Sequence, residues 1–292
     1  MPTVASAKVG RLTTSNSSLY PKSYSLRYTS HMSHFQTLSI PTSFHYPLSA
    51  WQIGDTQSKK FVVLMPGFLD SKDYPHLKEL GKKLAENDWL AIGFDALGVW
   101  ESKAPIELYS MTNWLSELEQ LIAWSKKQYP SIQTVVLMGH SMGGKLSLHY
   151  AATHPEIKAI VSIMGGPDFV RAETYQRRKA QWKSEWIHTS RRDAPEDPQR
   201  VVEFALPFIF VEDSEKHILS KICTQISSPT LLIAAQDDQI VPAIQMKEIS
   251  KMLPDDRVEL TVFPNMTHDY RKTPTDIVRV NQAILHFLEK NT

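Results

Sequence analysis

The strongest restriction on the fold of this chain comes from five residues, Gly139-His140-Ser141-Met142-Gly143, and from the segments on either side of them. Residues 134–138 before them are apolar and rich in β-branched side chains, which is typical of a buried strand. Residues 144–152 after them place apolar side chains four positions apart, as on one face of a helix. Glycines permit so sharp a strand-to-helix turn, and a serine in it is held exposed above the sheet edge.

Strand-like and helix-like segments alternate along most of the chain from residue 35 onward. Because strands that alternate with helices pair in parallel, this order predicts a mainly parallel α/β sheet with helices on both faces. The predicted strands cover residues 35–40, 47–53, 61–65, 90–94, 134–138, 159–164, 230–235 and 258–263, which makes the sheet eight-stranded. The predicted helices include residues 77–86, 111–127 and 277–288, a helix after the serine and one between the last two strands.

One interval breaks this rhythm, because residues 167–227 separate two predicted strands by far more chain than such connections need. The interval carries aromatic residues such as Trp182 and Trp186 among many charges. A solvated helical insert would explain the charges, whereas a cap over the serine would use some of the aromatic residues to line an acyl pocket. We predict a helical cap insert over about residues 167–227 and interpret its basic cluster, which includes Arg191 and Arg192, as solvated surface.

Composition excludes several classes of function. With 292 residues, 42% of them hydrophobic and 22% charged, the chain can bury one sizeable core with a small cap. The net charge of +1 gives no reason to expect nucleic acid or anionic membranes as partners. No apolar run approaches ~20 residues, so no transmembrane segment is expected. A single cysteine, Cys223, cannot form an internal disulfide or a cysteine metal cluster, which favours a reducing, cytoplasmic location.

The N-terminus differs from the rest because residues 1–54 contain no Asp or Glu, and Ser and Thr crowd residues 13–30. No apolar core of ~7–15 residues marks a secretory signal. Three interpretations compete: a disordered tail, an organelle transit peptide, and a translation start assigned upstream of Met32. We favour a disordered or non-native extension over residues 1–31, followed by one domain over residues 32–292; a transit peptide would direct the protein to an organelle instead.

Ser141 needs partners before it can act chemically. A serine hydroxyl is a weak nucleophile until a base takes its proton, and that base needs an orienting carboxylate. In sheets of this kind the three follow in the order Ser, Asp or Glu, then His. Asp238 and His268 have this order, and each comes shortly after a predicted strand, at the edge where an open α/β sheet gathers its site. The neighbouring Asp237 follows the same strand. The residues alone do not show which of the two carboxylates orients His268.

A reaction through a negatively charged tetrahedral intermediate also needs hydrogen-bond donors. The Met142 amide, next to the serine, is the first candidate. The second is the Phe68 amide, in the loop after the strand at residues 61–65, where Gly67 frees the backbone.

These residues together resemble the α/β-hydrolase family, over roughly residues 35–290. Residues 139–144 match the family's serine turn, residues 238–242 its acid loop, and His268 its base. Within the family, the chain is most similar to small carboxylesterases of the cinnamoyl/feruloyl-esterase and acylglycerol-lipase type, which carry an insert at this point. The resemblance also selects Asp238, because the family acid precedes a valine by three positions and a proline by four.

Two positions depart from the family pattern. The usual His-Gly before the oxyanion donor reads Pro66-Gly67 in this chain. The usual Asp-x-x-Gly-x-Gly-x-Ser lies at residues 95–102, with Trp100 where a glycine is expected. Neither removes a member of the Ser-Asp-His set, but both reshape the rim of the substrate pocket.

The sequence therefore predicts a serine hydrolase that cleaves a small-molecule carboxylic ester through an acyl-enzyme. Ser141 would attack, His268 would move the proton, Asp238 would orient the imidazole, and the Phe68 and Met142 amides would bind the oxyanion. No cofactor or metal is expected. A C–C bond hydrolase or an acyltransferase on the same triad is one alternative, and a non-catalytic ligand-binding homologue is another, although the intact triad argues against it.

Overall fold

The computed structural model of the protein describes residues 34–166 and 173–292, apart from the side chains of residues 173–178. The predictions for residues 1–31 and for the start of the insert therefore lie outside the described residues. The strands are β1 (Gln36–Ile40), β2 (Leu48–Ile53), β3 (Lys60–Met65), β4 (Trp89–Phe94), β5 (Thr134–His140), β6 (Ala159–Ile163), β7 (Ile187–Asp193), β8 (Val201–Pro207), β9 (Thr230–Ala235) and β10 (Val258–Phe263). The helices are α1 (Pro75–Ala85), α2 (Met111–Gln128), α3 (Met142–Thr153), α4 (Glu173–Glu185), α5 (Ile209–Ser214), α6 (Ala243–Ser250) and α7 (Pro274–Asn291).

Eight of these strands form one sheet, in the order β1-β2-β4-β3-β5-β6-β9-β10. Strand β2 runs antiparallel to both of its neighbours, and the pairs from β4 to β10 are parallel. The predicted eight-stranded, mainly parallel sheet is confirmed. Because the parallel strands end at the same edge, the residues that follow β3, β5, β9 and β10 gather there.

The strands alternate their side chains between two cores, one on each face of the sheet. In β3, Phe61 and Val63 join one buried cluster, while Val62 and Leu64 join the other. Helices α2 and α3 cover the first face, and α1 and α7 cover the second. No helix within the described part of the chain is long and apolar enough to cross a membrane.

The insert between β6 and β9 corrects one prediction, because it is not purely helical. Between helices α4 and α5, strands β7 and β8 form an antiparallel hairpin in which Ile187 pairs with Pro207 and Asp193 with Val201. Strand β7 is largely exposed and carries charges, so it lacks an apolar period, whereas β8 buries Phe204 and Leu206 in alternation with exposed residues. A two-stranded ribbon is stabilised by its own pairing and by the surface below it, which local sequence does not reveal.

Candidate active site

Ser141 lies at the turn between β5 and α3 with φ of 51° and ψ of −114°, a conformation that costs energy for a residue with a side chain. The glycines around it make the turn possible. A Cβ on Gly143 would lie 2.5 Å from the carbonyl oxygens of both Met65 and Pro66. Only glycine therefore lets the first turn of α3 pack against the loop that follows β3. The strained turn holds the Ser141 side chain at the carboxyl edge of the sheet.

Three predicted residues meet at this edge in one chain of hydrogen bonds. The imidazole of His268 lies 3.0 Å from Ser141 Oγ through Nε2 and 2.7 Å from Asp238 Oδ2 through Nδ1. Because a carboxylate only accepts, Nδ1 carries the proton towards Asp238, which leaves Nε2 free to accept from the serine. The Asp238 side chain is buried, whereas Asp237 is exposed. The geometry thus brings together Ser141, Asp238 and His268 and leaves Asp237 outside.

His140 lies beneath this set and supports it, a role that the sequence did not indicate. Its Nε2 donates to the main-chain oxygen of His268 at 3.1 Å, and the two imidazole centroids are 4.8 Å apart. Its Nδ1 lies 3.8 Å from Asp70 Oδ2. Burial lowers the pKa of His140, and the nearby His268 lowers it further against the opposing effect of Asp70. A neutral imidazole at this position fixes the backbone of His268 without placing a second positive charge beside it.

The two predicted oxyanion donors lie on either side of the contact between α3 and the loop after β3. We call residues 66–70 the oxyanion loop, after the role predicted for the Phe68 amide. Its Leu69 amide donates to the Tyr109 hydroxyl at 2.8 Å, and its Leu69 carbonyl accepts from Trp100 Nε1 at 2.9 Å. Within the described residues, the amides of Phe68 and Met142 have no protein acceptor. Both N–H groups remain available to a ligand oxygen.

Trp100 explains one departure from the family pattern. Its φ of 49° lies in the left-handed region, where glycine is the default residue. The chain carries a tryptophan in this conformation, and its indole both donates to the oxyanion loop and packs edge-on against Tyr74 and Phe204. The contacts of the ring with the loop and the insert offset the backbone strain.

Four aromatic side chains stack between the oxyanion loop and the insert. The ring centroid of Phe210 lies 5.2 Å from Phe68, 5.5 Å from Tyr109 and 6.1 Å from Trp182. The Trp182 indole donates to the Leu206 carbonyl at 3.1 Å, which fixes its plane. This arrangement packs the insert against Phe68 and Tyr109 through aromatic side chains.

A cluster of carboxylates lies outside this site and already holds a cation of its own. The oxygens of Asp73, Asp95 and Glu101 come within 4.8 Å of one another. The ammonium of Lys72 lies between them, at 2.5, 3.2 and 2.7 Å respectively. Burial raises the pKa of Asp95 to about 6 despite this lysine. The cluster is therefore an internal ion-pair network that anchors the segment before α1.

Comparison with known proteins places the chain in a family. A family model described as "alpha/beta hydrolase fold" matches residues 60–216. Palmitoyl-protein thioesterase ABHD10, mitochondrial, of Rattus norvegicus is 22% identical over 221 residues, which are 73% of this chain and 70% of that protein. The chain therefore belongs to the α/β-hydrolase fold family.

Solved structures agree with this assignment. The structure titled "Ferulic Acid bound to Est1E from Butyrivibrio proteoclasticus" superposes with a TM-score of 0.67 at 18% identity, over 87% of this chain and 98% of that chain. Alpha/beta hydrolase domain-containing protein 10 from mouse gives a TM-score of 0.70 at 18% identity, over 88% and 100%. At such identities the likeness shows the shared fold alone.

Proposed function

We propose that this protein is a serine hydrolase that cleaves a carboxylic ester through an acyl-enzyme. The observation that carries the proposal is the continuous hydrogen-bonded chain from Ser141 through His268 to Asp238. Its two links are 3.0 and 2.7 Å, within the range that proton transfer and tautomer control require. The strained serine turn and the two available amides support the same chemistry.

The first half of the reaction forms the acyl-enzyme. His268 takes the proton of Ser141 through Nε2 while Oγ attacks the ester carbonyl carbon. The negative charge that develops on the carbonyl oxygen is bound by the Phe68 and Met142 amides. Asp238 stabilises the imidazolium that forms. Collapse of the intermediate breaks the C–O bond, and His268 gives its proton to the leaving alkoxide, which departs as an alcohol.

The second half repeats these steps with water. His268 takes a proton from water as the oxygen attacks the acyl carbon on Ser141, and the same two amides bind the oxyanion. Collapse breaks the bond to Oγ, the proton on His268 returns to the serine, and a carboxylic acid leaves. The enzyme is restored with one ester and one water consumed.

The test of the proposal is the replacement Ser141→Ala. We expect loss of nitrophenyl-ester turnover by ~10⁴-fold or more, and loss of fluorophosphonate labelling, because the nucleophile is absent while the core is intact. Ser184→Ala is the matched control, since this exposed hydroxyl donates to the Gln181 carbonyl of its own helix. Labelling that persists in the Ser141 variant would refute the assignment, and failure to label the unmodified protein would favour the non-catalytic alternative.

A thioester is the second candidate substrate, favoured by the rat relative, whose name is palmitoyl-protein thioesterase. The same acyl-enzyme forms from an ester or a thioester, so the site does not distinguish them by mechanism. Comparing kcat/KM for an oxygen ester and a thioester of one acyl group decides between them, with the Ser141→Ala protein as the blank. A higher kcat/KM for the thioester would make a thioester the proposed substrate in place of the oxygen ester.

A further inference from the structure

Arg192, in strand β7 of the insert, reaches across to the oxyanion loop. Its Nε and Nη2 both donate to the Phe68 carbonyl, at 3.2 and 2.8 Å. The same Nε lies 3.3 Å from Asp70 Oδ1, and the guanidinium carbon lies 5.5 Å from the centre of the Phe68 ring. One side chain of the insert thus contacts the carbonyl and the ring of the residue whose amide is the proposed oxyanion donor.

The next residue, Asp193, makes a complementary contact with the loop that follows β10. Its carboxylate accepts two hydrogen bonds from Arg271, at 2.6 and 2.8 Å, and its carbonyl accepts one from the Tyr74 hydroxyl at 2.6 Å. Arg271 follows His268 by three residues, and its side chain is 7% exposed. The hydrogen bonds from Arg271 lower the pKa of Asp193, so this ion pair is charged at neutral pH.

The signs of these two ion pairs fix the position of the hairpin. Arg192 meets the negative Asp70, and Asp193 meets the positive Arg271. If β7 slipped by one residue in one direction, Asp193 would lie beside Asp70. If it slipped in the other direction, Arg192 would lie beside Arg271. Like-charge contacts disfavour the wrong arrangement, so the hairpin has one favoured position over the site.

The Phe68 N–H shares a rigid peptide plane with the Gly67 carbonyl, which accepts from the Asp70 amide at 3.1 Å. Arg192 holds this turn on both sides of that plane, because it donates to the Phe68 carbonyl and pairs with the Asp70 side chain. The Leu69 amide, in the same peptide plane as the Phe68 carbonyl, donates to the Tyr109 hydroxyl, and the Leu69 carbonyl accepts from Trp100. Within the described residues, Arg192 is the side chain that bonds to the backbone of Phe68.

We propose that Arg192 is a positioning residue, which orients the Phe68 amide towards the oxyanion while the Asp193–Arg271 ion pair holds the hairpin in place. This proposal rests on the proposed function, because it needs Phe68 as an oxyanion donor. The insert would then help to stabilise the transition state, in addition to its predicted role as a cap.

The test compares Arg192→Met with the control Arg191→Met. Both remove a guanidinium from the same strand, but Arg191 pairs on the surface with Glu203 and its side chain is 75% exposed. Removal of a whole oxyanion donor costs ~10²–10³ in kcat, so a misdirected donor should cost roughly 10- to 100-fold. We expect this loss in kcat for Arg192→Met with KM within about threefold, a partial recovery for Arg192→Lys, and no change for Arg191→Met.

A second measurement separates a positioning role from a structural one. A trifluoromethyl ketone forms a tetrahedral adduct on the serine, so its binding should weaken in Arg192→Met by the same factor as kcat. An unchanged kcat, or a raised KM with unchanged kcat, would overturn the proposal. If Arg192→Met does not fold, Arg192→Lys and Asp70→Asn provide the same comparison. Fluorophosphonate labelling of the unmodified protein tests the proposed function separately, since a labelled enzyme insensitive to Arg192 refutes the positioning role alone.

Discussion

At the scale of single residues, Asp238 shows how one carboxylate serves two purposes. Its Oδ2 accepts from His268, while its Oδ1 accepts from the amides of Ile240 and Val241, both at 2.7 Å. The amides fix the plane of the carboxylate, which in turn fixes the imidazole. The valine three positions after the acid, used in the sequence to select Asp238, belongs to this clamp.

This arrangement predicts opposite results for two neighbouring carboxylates. Asp238→Asn should lower turnover by on the order of 10⁴, because the amide misorients His268 and leaves its developing charge unsupported. Asp237→Asn is the matched control and should change turnover little, since that side chain is exposed. Steady-state kinetics on both variants makes the comparison. A severe loss confined to Asp237→Asn would reverse the assignment.

Residues were predictable from the sequence where a motif or a strand end placed them. Ser141, Asp238 and His268 follow strands, and parallel strands end at one edge, so their meeting follows from topology. Arg192 was not predictable, because its partner is a main-chain carbonyl 124 positions away. The interpretation of the basic cluster as solvated surface agrees with the exposure of Arg191 and is wrong for Arg192, which packs against the oxyanion loop.

At the scale of elements, helix α2 carries an acid on its buried face. The helix predicted over residues 111–127 is present and buries Trp114, Leu118 and Leu121, but Glu117 lies among them. One carboxyl oxygen accepts from the Leu97 amide at 3.2 Å. Burial raises the pKa of Glu117 to about 8 against the weaker effect of that hydrogen bond. The folded protein therefore holds this carboxyl protonated at neutral pH.

The buried proton predicts a pH-dependent stability. The unfolded chain loses the proton near its ordinary pKa of 4.5, whereas the folded protein keeps it until about pH 8. Between these values the folded state binds more protons, so stability falls as pH rises and the loss is complete above pH 8. Glu117→Gln lacks this titration and should gain stability over the unmodified protein across that window. Since each pKa unit corresponds to about 1.4 kcal/mol, the gain should reach a few kcal/mol.

Urea unfolding at several pH values between 5 and 9 measures this gain. Glu119→Gln is the control on the same helix, because Glu119 is exposed and its replacement leaves the core unchanged. The free energy of unfolding of the Glu119 variant should follow that of the unmodified protein. If the free energy of unfolding of Glu117→Gln changed with pH in parallel with that of the other two proteins, Glu117 would be charged in the folded state.

Elements were predictable where the apolar pattern of the chain marks them. The buried strands β3 and β9 begin and end within one residue of their predicted limits, because continuous apolar runs mark them. The hairpin of β7 and β8 was missed because β7 is polar and exposed, although Phe204 and Leu206 in β8 alternate with exposed residues. Its stability comes from pairing and from distant ion pairs, which sequence periodicity does not record.

At the scale of the whole molecule, the insert packs aromatic side chains against the loop that carries Phe68. Its two tryptophans differ: Trp182 stacks on Phe210, while Trp186 is 53% exposed. We expect Trp182→Ala to shift the preference among nitrophenyl esters of increasing acyl length, because it removes one wall of the aromatic stack. Trp186→Ala is the control and should keep the original profile. If Trp182→Ala and Trp186→Ala showed the same preference for acyl length, Trp182 would contribute to packing alone.

The place of the insert in the chain has a consequence for how such enzymes diversify. The insert begins after β6 at the edge that carries Ser141, so its length can change without altering any strand pair of the eight-stranded sheet. A scaffold of this kind can acquire a new specificity by exchanging one segment. In this protein, however, Arg192 bonds the segment to the loop after β3, and Asp193 bonds it to the loop after β10. A transplanted cap would therefore need to bring its own fastening residues, or the recipient enzyme would gain a new pocket and lose rate.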